Sequence, residues 1–261
     1  MIPAGFDYVR PTSLEEALGL LANDGGSRVL AGGQSIIPLM KLRLARPGRL
    51  VDIGRLGELR GVRSLDGGGF AVGALTTYAE MLDSPLTGHA LLADALPTIG
   101  GAIAHADPAS DLPACLLALE AEVVARSSTG ERVIPIDQFL TGAFTTSLRE
   151  DEIITEVRLP APSGGSAYVG LEQKASGYAI VGVAAVVRDG EARVGITGVG
   201  DAAYRARGVE SAYGEGAAAA AEHATDGVTV NGDIHADAEY RTAMARVYTR
   251  RALEAAAARA G

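Results

Sequence analysis

Two pairs of adjacent glycines, Gly32-Gly33 and Gly100-Gly101, constrain this chain more than any other feature of its sequence. Glycine has no Cβ and takes positive φ readily, so an apolar segment that runs into such a pair can turn sharply and aim several amides at one place. Val29 and Leu30 lead into Ala31-Gly32-Gly33-Gln34-Ser35, and Leu96 and Pro97 lead into Thr98-Ile99-Gly100-Gly101-Ala102. Converging N–H groups suit a phosphate, and the Ser35 hydroxyl adds a neutral donor. One such pair serves equally well as a plain chain reversal. Two of them, both beside hydroxyl residues, are read as a clamp on one long ligand. Neither is the G-x-G-x-x-G of a Rossmann domain nor the G-x-x-x-x-G-K of a P-loop, so NAD held by a Rossmann domain is not supported.

The rest of the chain reads as mixed α and β. Ser13 and Glu16 stand at capping-box spacing, and Leu14, Ala17, Leu18 and Leu21 follow at helical intervals. Short strands are expected at 28–30, 50–53 and 69–73, a helix at 91–96, and a buried apolar segment at 112–121. Pro160, Pro162, Gly164 and Gly165 cluster at the best boundary, dividing the chain into 1–160 and 166–261. Beyond it, strands at 178–187 and 192–199 flank the hairpin dipeptide Asp189-Gly190. The last segment, 237–260, is an amphipathic helix with Tyr240, Met244, Val247 and Ala252 near its apolar side.

Composition removes several function classes. A formal net charge of −9 leaves no footprint for nucleic acid or an anionic membrane. The single cysteine, Cys115, excludes an internal disulfide and an iron–sulfur cluster held by this chain alone, and it reads as a core residue. Four histidines without paired spacing make no metal site. No apolar run is long enough to insert in a membrane, and a cytoplasmic protein is expected.

The first glycine segment, extended through Ile36-Ile37-Pro38-Leu39-Met40-Lys41-Leu42-Arg43-Leu44-Ala45, resembles the first FAD loop of the flavoprotein medium subunits of the xanthine dehydrogenase and carbon monoxide dehydrogenase group, the molybdenum hydroxylases. The second, extended through Ile103-Ala104-His105-Ala106-Asp107-Pro108-Ala109-Ser110-Asp111, is similar to the other flavin segment of that family. The resemblance continues at Asp151-Glu152-Ile153-Ile154, at Gly177-Tyr178-Ala179-Ile180 and at Tyr240-Arg241. It implies an α+β fold: an FAD-binding domain of the vanillyl-alcohol-oxidase (PCMH) type with two lobes, then a small C-terminal α+β domain with a three-stranded sheet plus helices.

The same resemblance implies site residues. Leu30, Ala31, Gly32, Gly33, Gln34 and Ser35, with Thr98, Ile99, Gly100, Gly101 and Ala102, would wrap the FAD pyrophosphate. Asp111 would accept hydrogen bonds from the cofactor's hydroxylated part. His105, Ile154, Gln173 and Tyr178 would approach the flavin, with Lys174 adjacent to Gln173 as the other candidate at that position. Where the family often has Asn, this chain has Ala102, which leaves only backbone donors there. No residue is given a catalytic or metal-binding role.

The resemblance also implies partners: a large subunit with the molybdenum cofactor and a small iron–sulfur subunit with two 2Fe–2S clusters, in a heterotrimer. Electrons would leave the complex through this flavin. Two other readings stay open from the residues themselves. One is a stand-alone flavoenzyme of the same fold, and the other is a flavin-less binding or assembly module.

Overall fold

A computed structural model describes residues 2–88 and 99–260. The expected helix at 91–96, together with His89 and Thr98, lies outside them. The chain starts with β1 (Asp7–Val9), α1 (Leu14–Ala22), β2 (Ser27–Leu30), α2 (Ile36–Lys41) and β3 (Arg49–Asp52), and β3 runs parallel between β1 and β2. Helix α1 begins where Ser13 Oγ accepts the Glu16 amide at 3.1 Å, while the Glu16 carboxylate turns back to the amide and hydroxyl of Thr12 at 2.7 and 2.9 Å. Its apolar face, Leu14, Ala17, Leu18 and Leu21, shares a buried cluster with Val51 and Ile53. Each buried leucine contributes roughly 1.5–3 kcal/mol.

Next come β4 (Val62–Ser64), β5 (Phe70–Gly73), α3 (Tyr78–Leu82), α4 (Ile99–His105), α5 (Asp111–Ala118), β6 (Glu122–Ser127), β7 (Gly130–Pro135), α6 (Ile136–Phe139), β8 (Leu140–Gly142), β9 (Thr145–Thr146) and β10 (Ile153–Leu159). Five of these strands form one antiparallel sheet in the order β4-β5-β10-β6-β7, and β8 and β9 make a separate hairpin. Gly100 and Gly101 stand inside α4 rather than in a turn. The physical reason is packing: a Cβ on Gly100 would come within 2.6 Å of Ala74 Cβ and 2.9 Å of the Ala74 carbonyl oxygen, so this glycine lets the helix rest on the chain leaving β5.

Helix α5 is buried at every position from Leu112 to Ala118. A helix apolar all round must be covered all round. It shares a core with Val123, Ala125 and Val157 of the five-stranded sheet and with Ala184 of the next one.

That sheet is built by β11 (Gly165–Glu172), β12 (Ala179–Arg188), β13 (Glu191–Thr197) and β14 (Tyr204–Arg205), followed by α7 (Arg207–Ala212), α8 (Ala217–Ala221) and α9 (Ala238–Ala260). Its order is β11-β12-β13-β14, so a fourth strand joins the three that were expected. Only two residues long, β14 has no periodicity to read. Asp189 and Gly190 both take positive φ, 51° and 79°, as the tight hairpin between β12 and β13 requires.

Val181, Val183, Ala185 and Val187 form a cluster with Ala245, Ala252, Leu253 and Ala256 of α9, so the sheet lies between α9 and α5. The buried residues of α9 are Arg241, Ala245, Thr249, Ala252, Leu253 and Ala256; of the side expected to be apolar, Ala252 is buried, Met244 packs partly buried against the cluster, and Tyr240 is exposed. Small residues permit close approach to the sheet. Arg241 is buried because its guanidinium donates to the Ile180 carbonyl at 2.6 Å, to the Gly198 carbonyl, and to Asp233 at 2.6 Å. No described helix is long and apolar enough to cross a membrane.

Where α5 meets β13, a Cβ on Gly195 would overlap the Ala114 carbonyl oxygen. Gly195→Ala is therefore expected to destabilise the chain by about 1–3 kcal/mol through forced separation of helix and sheet. Urea unfolding checks this, and an unchanged midpoint would show that the approach is not tight.

Candidate functional site

A cleft of about 460 Å³ opens between the three-stranded and five-stranded sheets. Small-molecule and cofactor sites span about 300–1,000 Å³. Strand β2 delivers its floor. After Leu30, whose carbonyl accepts the Ile53 amide at 2.9 Å, the chain leaves the sheet, and Gly33 takes φ +76°. A side chain there would be strained and would press within 2.7 Å of Ile37 Cδ1. Among the described residues, the amides of Gly32, Gly33, Gln34 and Ser35 have no protein acceptor. Unpaired main-chain donors beside a cleft need water or a ligand, and several together favour an anion.

The other walls come from Ala74 and Leu75 after β5, from α4, and from the turn 147–152 into β10. Glu152 fixes that turn. Arg132 grips its carboxylate from Nε at 2.6 Å and from Nη2 at 2.7 Å, and the Arg149 amide donates at 2.8 Å. Burial pushes this carboxyl up, but the Arg132 and Arg149 hydrogen bonds outweigh it and hold the group below the ordinary glutamate range. Arg28 and Glu150, 3.7 Å apart and both exposed, face each other from β2 and the turn. Such a solvated pair adds little stability.

Of the residues singled out from the sequence, Ala31, Gly32, Gly33, Gln34, Ser35, Gly100, Gly101, His105 and Ile154 line this one cleft. Leu30, Ile99 and Ala102 do not; Ile99 is a core residue and Ala102 packs against the same core. Two donors of the second segment serve the protein itself, Ile99 N–H to Thr76 at 3.3 Å and Gly100 N–H to Ala74 at 3.0 Å. Helix packing against the chain after β5 consumes these two.

Asp111 lies at the start of α5 and accepts a hydrogen bond from the Tyr168 hydroxyl. Gln173 and Tyr178 line a second cavity, of about 350 Å³, with Pro108, Ala109 and Ala143. Gln173 Oε1 is engaged by the amides of Ala175 and Ser176 at 2.7 and 2.8 Å, and Lys174 lies exposed on that turn. Asp107 makes a turn, its carboxylate accepting the Ala109 amide at 2.9 Å. Among the described residues, no group of His, Cys, Asp and Glu is arranged to hold a metal ion.

Phe144, Thr145 and Thr146 also line the first cleft, as does Arg149, and no sequence pattern singles them out. A hairpin this short has no periodicity, and its place at the cleft is set by Ala106, whose carbonyl accepts the Phe144 amide at 3.0 Å.

The fold and the cleft define a cofactor-binding chain with main-chain anion donors. It belongs to the FAD-binding medium subunits of the molybdenum hydroxylases: residues 4–162 match the family described as the FAD binding domain in molybdopterin dehydrogenase, and residues 166–256 match the CO dehydrogenase flavoprotein C-terminal domain. The chain is thus an oxidoreductase subunit. It is 38% identical to the carbon monoxide dehydrogenase medium chain of Hydrogenophaga pseudoflava over 99% of both chains. It is also 38% identical to the alpha subunit of the 6-hydroxypseudooxynicotine dehydrogenase complex of Paenarthrobacter nicotinovorans, over 100% of this chain and 97% of that one. A solved carbon monoxide dehydrogenase from H. pseudoflava, which lacks the Mo-pyranopterin moiety of its molybdenum cofactor, superposes with a TM-score of 0.92 at 38% identity over the whole of both chains.

Arg132→Met would leave Glu152 buried and ionised without its partner, at a cost of about 3 kcal/mol, the lower end of such losses because Arg132 is partly solvated. The carboxyl's folded pKa is depressed, so its contribution is present above the ordinary value of about 4.3 and is lost as pH falls through the lower folded one. The stability gap between wild type and variant should therefore close in acid, as denaturant melts at neutral and acidic pH would show.

Proposed function

We propose that this chain holds FAD non-covalently in the first cleft and serves as the electron outlet of a molybdenum hydroxylase. The observation that carries the reading is the row of unpaired amides at Gly32, Gly33, Gln34 and Ser35, set beside apolar walls of Leu75, Ile53 and Ile154. Neutral donors of this kind hold a pyrophosphate without a cationic pocket, which suits a chain of net charge −9. Ser35 adds its hydroxyl, and Gly33 keeps the loop in the left-handed turn that exposes the donors. His105 and Ile154 shape the cleft toward the flavin end and exclude water there. Gln173 and Tyr178 line the second cavity, toward which the flavin would extend, and Asp111, at the start of α5, would accept from the cofactor's hydroxylated chain.

FAD, when bound, supplies the capacity to take up and release electrons singly or in pairs, which no side chain here has. Residues 1–160 are read as the FAD domain of the vanillyl-alcohol-oxidase type, its two sheets being the two lobes, and residues 166–261 as the C-terminal domain. The electrons come from two 2Fe–2S clusters in a small iron–sulfur subunit, and substrate is oxidised at the molybdenum cofactor of a large subunit. The three chains form a heterotrimer, able to dimerise, in the cytoplasm. Naming of the relatives as a medium chain and as one subunit of a dehydrogenase complex supports such an assembly.

Gly32→Asp places a carboxylate among the proposed pyrophosphate donors and should weaken FAD binding at least tenfold, with the fold intact by circular dichroism. Titration of the apo-chain with FAD, followed by flavin fluorescence, measures it. Equal affinity would remove the loop from the site, and a wild-type chain that takes up no FAD would favour the flavin-less module.

A further inference from the structure

The hairpin of β8 and β9 carries an aromatic residue in an unusual state. Phe144 sits between the two strands at φ +53°, a left-handed conformation that is a genuine outlier for a bulky side chain. Its partner is strained as well: Ala106, whose carbonyl accepts the Phe144 amide at 3.0 Å, has φ +49°. Two residues in this costly region, tied by one hydrogen bond, persist only where the surroundings over-determine them, and such strain collects at ligand clamps.

The strain is not spent on burying the ring. Phe144 is 59% exposed, although it lines the first cleft. The preceding residue, Ala143, lines the second cavity, so the hairpin tip stands at the partition between the two. On its cleft side the ring lies 5.1 Å from the His105 ring, tilted by 46°. His105 in turn stands 4.0 Å from Asp107, which forms the turn toward α5. A half-exposed aromatic ring fixed at a cleft wall by backbone strain is suited to cover a flat conjugated surface, because ring pairs gain beyond the area they bury.

We propose that Phe144 is a wall of the flavin site that packs on the isoalloxazine ring and shields it from solvent, an inference that rests on FAD occupying the first cleft. The adenine ring is the other flat surface of the cofactor. The isoalloxazine is favoured because Phe144 touches His105 and adjoins the cavity that holds Tyr178 and Gln173, whereas the unpaired donors that mark the diphosphate lie on the first glycine segment.

Glycine at 144 separates this role from a structural one. It relieves the left-handed strain, so a merely structural Phe144 predicts a chain as stable as wild type that binds FAD equally well. On the proposal, Phe144→Gly leaves the melting temperature of the apo-chain about unchanged, lowers FAD affinity tenfold or more, raises the residual fluorescence of bound flavin and shifts its visible absorption bands. Phe144→Tyr, which keeps the ring, restores the affinity and the spectrum. Titration of the apo-chains with FAD, read by fluorescence and absorption, decides it. Wild-type affinity and spectrum in Phe144→Gly overturn the inference alone, as does weaker binding with unchanged visible bands, which assigns the ring to adenine. A wild-type chain that binds no FAD overturns the reading of the cleft together with the inference.

Discussion

Helix α5 sits in the one environment on which the remaining structure depends. All its residues from Leu112 to Ala118 are buried, so it can be stable only when one sheet covers it from each side. Gly195 removes the side chain that would hold β13 away from Ala114. The turn ahead of the helix is then stitched to the same sheet. Thr197 Oγ1 donates to the Pro108 carbonyl at 2.8 Å, Gly198 N–H donates to the same carbonyl at 2.8 Å, and Ala179 N–H donates to Ala109 at 3.3 Å. Arg241 of α9 closes the far side by holding the Ile180 and Gly198 carbonyls. One chain of contacts therefore runs from the last helix, through the ends of β12 and β13, to the residues that flank His105.

On the proposed reading, the first cleft would hold an anionic cofactor chiefly through main-chain amides. Side-chain cations would be the usual answer to a diphosphate, yet the chain is acidic and its arginines are mostly paired with carboxylates, as Arg132 is with Glu152 and Arg205 is with Glu120 and Glu210. Main-chain amides supply partial positive charge without the burial penalty of a full one. Rigidity comes from elsewhere: from β2 in its parallel sheet, from α4 seated on Ala74, and from the Glu152 turn. The strained pair Ala106 and Phe144 lies where these parts meet, at the partition between the two cavities.

Several features were legible because they are local. Ser13 and the leucine spacing specify α1, and the Asp189-Gly190 dipeptide specifies its hairpin. The glycine pair at 32–33 marks the end of β2, since a strand that stops at a residue with positive φ can expose its amides. Motif resemblance reached further and selected Ile154 and His105, which line the cleft although they are far apart in sequence. It did not separate Gly32, beside open donors, from Gly100, a packing glycine inside a helix, because both occur as the same dipeptide. On α9 the expected apolar side was right at Ala252 and wrong at Tyr240, because the helix buries Arg241 instead and an arginine is counted as polar until its carbonyl partners are known.

The amino-acid sequence by itself determined the local turns, the mixed α and β character, the absence of chemistry that cysteines would supply, and the family. Those properties depend on residues within one or two helical turns or on motifs read as strings. Tertiary structure alone decided which amides remain unpaired, that Glu152 meets Arg132, and that Phe144 stands at a cleft wall in a left-handed conformation. Each of these depends on atoms brought together from distant segments, and hydrogen-bond satisfaction and strain are properties of that assembly rather than of any stretch of chain.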